Sequence, residues 1–162
     1  MFYKKMGLKA FVKNVPESRQ ANVVEYLIKR YNPDILVVTG HDGMIKNGTG
    51  FNDIYNYRNS SYFIKAVEEA RKNNTRDDLV IFAGACQSYY EGIMMAGANF
   101  ASSPARILID FMDPIIVAES IAYTPVEEFV SISNILSNTR EGINGIGGIQ
   151  TRGTYRTGMP GI

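Results

Sequence analysis

The sequence predicts an α/β fold built around a mostly parallel sheet. Short apolar runs alternate with amphipathic segments, the pattern of βαβ units. Two of those runs, Ile35-Leu36-Val37-Val38-Thr39 and Leu79-Val80-Ile81-Phe82-Ala83, are continuous rather than alternating. A strand that is apolar on both faces belongs inside a sheet covered by helices on both sides. At 162 residues, with neither an internal repeat nor a linker-like stretch, the chain reads as a single domain.

Taken in order, residues 8–12 are expected to form a first strand. Residues 16–31 follow as a helix, because Val23, Val24, Leu27 and Ile28 recur at helical spacing before Asn32 and Pro33 stop it. The run 35–39 is the second strand. A polar, Gly-rich loop then occupies residues 40–58. Helical signals resume at Asn59-Ser60-Ser61, good N-cap chemistry, and run to about residue 73 with Phe63, Ile64, Val67 and Ala70 as the buried stripe. The run 79–83 is the next strand, and a helix is expected over 89–96. Further on, 99–102 and 106–109 both read as strands. The pairs Asp113-Pro114 and Thr124-Pro125 are helix starts, predicting helices over 114–122 and 125–137. The Gly-rich tail from Arg140 adds an expected edge strand over 149–156.

Composition excludes several classes. Hydrophobic residues make up 45% and charged residues 20%, with a formal net charge of +1, so no electrostatic field favours nucleic acid or an anionic membrane. No apolar run approaches the ~20 residues of a membrane span, and the start of the chain lacks the apolar stretch of a signal peptide. One His and one Cys cannot build the multi-ligand metal sites made from those residues. The G-x-S-x-G elbow of serine hydrolases is missing, and Gly142, Gly145, Gly147 and Gly148 precede neither a helix signal nor Gly-Lys-Ser/Thr, so they are no phosphate loop. No cofactor is expected.

The chemistry therefore concentrates on His41 and Cys86. Each follows one of the two continuous apolar runs closely, and catalytic groups of open parallel sheets gather outside the carboxyl ends of the strands. Neighbouring strands are ~4.8 Å apart, so a His and a Cys placed there come within reach of each other. An ordinary thiol, with a pKa of ~8.5, is only slightly ionised at neutral pH. An imidazolium and the start of the helix after Cys86 would both favour the thiolate, and His41 would protonate a leaving amine. Backbone N–H groups of Cys86 and of His41-Asp42-Gly43 are candidates for an oxyanion hole. Spacing alone leaves three readings open: a cysteine peptidase, a cysteine hydrolase of non-peptidic amides, and a catalytically silent binding module whose Cys and His are packing residues.

The blocks Ile35-Leu36-Val37-Val38-Thr39-Gly40-His41-Asp42-Gly43 and Val80-Ile81-Phe82-Ala83-Gly84-Ala85-Cys86-Gln87-Ser88 resemble the caspase-like peptidase fold shared by caspases, legumain, clostripain and gingipains. More specifically, RYNPDILVVTGHDG, LVIFAGACQSYYEG, AGANFASSPARI and GGIQTRGTYRTGMP are similar to the YabG family of sporulation-specific peptidases, a likeness running from Ala10 to Pro160. The resemblance implies a three-layer α/β/α fold and a cysteine endopeptidase of endospore-forming bacteria, with Cys86 as nucleophile and His41 as acid. It implies protein substrates of the spore coat and germination apparatus, cleaved after arginine, in the mother-cell cytoplasm or the forming coat and cortex region. Family members carry a further N-terminal region, so a peptidase-domain fragment is expected.

Unlike the wider fold, this chain has Asp42 rather than Gly directly after His41, which leaves the Asp42 and Gly43 N–H groups as rival oxyanion donors. A pocket for arginine requires a carboxylate. Asp110 and Asp113, after the catalytic cysteine, and Glu17, after the first expected strand, are the substrate-binding candidates, with Ser102 and Ser103 as wall residues. Tyr55, Tyr57, Tyr62, Tyr89 and Tyr90 are candidates for a groove lining.

Overall fold

The computed structural model describes residues 2–45 and 50–156. Residues 46–49 of the long loop and 157–160 of the tail motif lie outside the described residues. The described residues contain a four-stranded sheet and six helices. Strands β1 (Ile35–Val38), β2 (Val80–Ala83), β3 (Phe100–Ala101) and β4 (Gly147–Gly148) lie in that order, with the first three parallel and β4 antiparallel to β3. The helices are α1 (Phe2–Lys5), α2 (Glu17–Tyr31), α3 (Ser60–Arg71), α4 (Tyr90–Ala96), α5 (Asp113–Tyr123) and α6 (Ile132–Asn138). None is long and apolar enough to cross a membrane.

The continuous apolar runs are buried on both sides. In β2, Ile81 and Ala83 pack with Val24 of α2, Phe63 and Val67 of α3 and Ile93 of α4. The alternate residues Val80 and Phe82 face Val117 and Ile121 of α5 and Ile135 of α6. Strand β1 divides the same way, with Leu36 and Val38 on the first side and Ile35 and Val37 on the second. The two-residue alternation of a strand thus distributes one apolar run between two cores.

Four expectations fail, each for a local reason. Residues 8–12 form no strand; Phe11 and Val12 are exposed, and Phe11 stacks on Tyr31 of α2 instead. Residues 106–109 join no ladder, because Arg106 takes a left-handed φ of 57° that turns the chain. The helix expected over 125–137 forms only as α6, capped by the Ser131 hydroxyl, which accepts from the Asn134 N–H. Residues before it make isolated bridges, Pro125 with Tyr155 and Phe129 with Arg152. These bridges use up the stretch expected as an edge strand over 149–156. The edge of the sheet is instead β4, whose glycines admit the rings of Tyr90 and Phe100 where a Cβ would collide.

Phe82 is fully buried in the second core. Phe82→Ala is expected to lower unfolding free energy by about 3–5 kcal/mol in urea denaturation, through lost transfer energy and the cavity left behind.

Candidate active site

Strands β1 and β2 pair with Val38 opposite Ala83, and His41 and Cys86 each lie three positions beyond that pair. Both residues therefore leave the same carboxyl edge of neighbouring strands. The Gly84 N–H donates to the Val38 carbonyl at 2.9 Å, and the Thr39 hydroxyl donates to the Gly84 carbonyl at 3.0 Å, which keeps the two loops side by side. Gly84 has a φ of 112°, and a Cβ there would lie 2.8 Å from the Ser102 Oγ and 2.9 Å from its carbonyl oxygen. Only glycine lets the chain turn toward Cys86 so close to the end of β3.

Asp42 ties the loops together. Its Oδ1 accepts from the Gly43 and Asn59 N–H groups, both at 2.8 Å. Its Oδ2 accepts from the Ser60 hydroxyl and, at 2.8 Å, from the Ser88 hydroxyl. Ser88 Oγ in turn accepts from the Ala85 N–H at 2.8 Å. One carboxylate thus joins the His41 loop, the start of α3 and the turn that carries Cys86. Its use of the Gly43 N–H also bears on the oxyanion candidates, because that donor is already engaged.

Cys86 is half-buried. The Ile109 N–H donates to its Sγ at 3.4 Å, and the Ile109 carbonyl lies 3.7 Å from the sulfur as the acceptor of a thiol proton. The expected help from a helix start is lacking, since α4 begins only at Tyr90. Ile109 is delivered by the segment 103–109, which pairs with the cysteine turn where the Gln87 N–H donates to the Ile107 carbonyl at 3.0 Å. Gln87 has a φ of 58°, and its side-chain oxygen accepts from the Met44 N–H at 3.4 Å.

Arg106 anchors the segment 103–109, a role that sequence reasoning missed. Its guanidinium is buried, donating to the Tyr57 hydroxyl at 2.6 Å and to Glu91 at 2.5 Å, with Phe51, Tyr57 and Tyr89 rings 5.4–5.7 Å away. Burial opposes its charge, but Glu91 and Tyr57 outweigh burial and its pKa is raised. Tyr57 and Tyr89 stack on each other around this arginine, so these two of the five groove candidates serve a packing cluster. An arginine bolted to aromatic rings has no sequence signature, and neither does the Ile109 N–H, which any residue would supply.

The substrate-binding candidates separate by what their polar atoms already hold. Asp113 is buried, its carboxylate accepting the Asp110 N–H at 3.2 Å and the Arg140 N–H at 3.1 Å. Asp110 is more open: one oxygen accepts the Met112 N–H at 2.9 Å, and the other lies 3.8 Å from the Arg140 guanidinium. Ser102 and Ser103 are buried, with hydroxyls donating to the Ala85 and Ile107 carbonyls. Glu17 lies on the His41 side, where its Oε1 accepts the His41 N–H at 2.8 Å. The His41 side chain is 99% exposed and so open to an incoming molecule. Shallow polar hollows along α2 and α3, lined by residues such as Glu25, Lys29 and Glu69, include neither His41 nor Cys86.

Asp42→Ala would strand donors from three segments at once. It is expected to cost about 2–4 kcal/mol in urea denaturation, with Asp42→Asn costing less because it keeps an acceptor oxygen.

No solved structure matches the chain. The chain is 45% identical over 159 residues to the sporulation-specific protease YabG of Bacillus subtilis (strain 168), an alignment covering 98% of this chain and 55% of that protein. The chain thus spans about half the length of the curated relative it matches. The profile of the family described as YabG peptidase U57 matches residues 1–160. With His41 and Cys86 at one sheet edge and this match over nearly its whole length, the chain belongs to the YabG peptidase family.

Proposed function

We propose that the chain is the peptidase domain of a cysteine endopeptidase with a caspase-like fold, cutting spore coat and germination proteins after arginine during sporulation. The observation that carries this is the equal offset of His41 and Cys86 from a paired position on adjacent parallel strands. Family membership and the relative's printed name supply the sporulation context.

In this reading the Cys86 thiolate attacks the substrate carbonyl, forming a carbon–sulfur bond and a tetrahedral oxyanion. The Cys86 and Asp42 N–H groups receive that oxyanion, since the Gly43 N–H is held by the Asp42 carboxylate. The carbon–nitrogen bond then breaks as His41 protonates the leaving amine. Water, deprotonated by His41, then adds to the acyl carbon, and the carbon–sulfur bond breaks to free the acid and restore the Cys86 thiolate beside a protonated His41. The Ile109 N–H, donating to Sγ at 3.4 Å, holds the sulfur in place for attack. Asp110 is the carboxylate best suited to a substrate guanidinium, because Asp113 is consumed by backbone donors, and Asp110 directly follows Ile109 at the sulfur. Its neighbour Arg140 is exposed and gives way to substrate at little cost.

Cys86→Ala and His41→Ala are each expected to abolish hydrolysis in a fluorogenic panel of Arg, Lys, Asp and Asn peptides, with the fold retained by circular dichroism. The wild type is expected to cleave the Arg substrate. Hydrolysis retained in either variant contradicts the mechanism, and preference for another residue contradicts the arginine assignment.

A further inference from the structure

The first turn of α2 is fastened to the loop that carries His41. Glu17 is the first residue of that helix, and its Oε1 accepts the His41 N–H at 2.8 Å while standing 3.5 Å from the imidazole Nδ1. One turn later, the Gln20 side-chain amide donates to the Thr39 carbonyl at 2.9 Å. Between these contacts lies Gly40, where a Cβ would run into the Glu17 carboxylate. On the other side of His41, the Asn59 side-chain amide donates to the His41 carbonyl at 2.7 Å. The backbone of His41 is therefore held at both its N–H and its C=O, and the carboxylate that accepts its N–H also faces its ring.

We propose that Glu17 is a positioning residue for His41, fixing the loop through the His41 N–H and receiving the imidazole at Nδ1 so that Nε2 faces the substrate. This rests on the reading of His41 as the proton carrier. A carboxylate behind a catalytic imidazole sets its tautomer and orientation and stabilises the imidazolium. The His41 N–H, and next the N–H of Glu17 itself, hold the Glu17 carboxyl below its ordinary range, so the partner is ionised at neutral pH. Among the described residues, other ionisable groups around the His41 loop include Asp42, whose carboxylate is turned to Asn59, Ser60 and Ser88, Arg58, exposed beside Gly43, and Cys86 itself.

The test compares Glu17→Gln, Glu17→Asp and Glu17→Ala with the wild type on a fluorogenic arginyl peptide, with Cys86→Ala as control. Glu17→Gln keeps an acceptor for the backbone N–H and removes the charge. Its kcat is expected to fall by about ten-fold or more with KM little changed, and the pH profile of kcat/KM to differ from that of the wild type. Glu17→Asp is expected to recover part of the rate. Iodoacetamide alkylation of Cys86 followed against pH gives a readout that needs no substrate, and Glu17→Gln is expected to slow it near neutral pH. Wild-type kcat and an unmoved pH profile in Glu17→Gln overturn the proposal, even if Glu17→Ala fails to fold. Hydrolysis surviving in Cys86→Ala would instead overturn the reading of the cysteine, so the two failures are distinguishable.

Discussion

The arrangement at the carboxyl edge of the sheet depends on the Asp42 carboxylate. Two parallel strands deliver two loops to one edge, but strand pairing ends at Val38 and Ala83 and does not itself hold the loops beyond. Asp42 takes donors from its own loop, from the start of α3 and from the turn after β2, so that the residues flanking it, His41 and Gly43, are tied to the turn that carries Cys86. A carboxylate accepting several short hydrogen bonds is a stiffer joint than a set of apolar contacts, because each donor fixes a direction as well as a distance. The Asp that separates His41 from Gly43 is therefore a structural part of the site.

Around that joint the main chain of Ile109 reaches the sulfur. Ile109 brings an N–H to Sγ, and the segment bearing it is held by the buried Arg106 and its aromatic shell. Burying a guanidinium is expensive unless its donors are met, and here Tyr57, Glu91 and main-chain carbonyls meet them. The left-handed backbone at Arg106 and at Gln87 is maintained by these same contacts on either side of the cysteine turn. Stability and site geometry are thus supplied by overlapping residues.

Much of the sheet was legible because its central strands are continuous and apolar, and both faces of β2 are buried as such a run requires. The Gly147–Gly148 edge was not legible, since glycines carry no hydrophobic pattern and are selected there by the rings packed against them. Residues 8–12 carried a strand-like pattern without a partner strand to use it, and residues 125–130 were drawn into bridges with the tail instead of a helix. At the site, His41 and Cys86 stood out as the sole residues of their kinds after matching runs. Glu17 was legible only as an acid near the first expected strand; its contact with His41 comes from tertiary packing of α2 beside β1, which no local pattern encodes.

The most direct measurement of the central claim, that His41 and Cys86 form one working pair, is covalent trapping. The protein is incubated with a peptidyl acyloxymethyl ketone and the adduct is located by mass spectrometry of its peptides. The account predicts a single adduct on Cys86 in the wild type, formed much more slowly in His41→Ala. An unlabelled Cys86, or labelling at the same rate without His41, would contradict it.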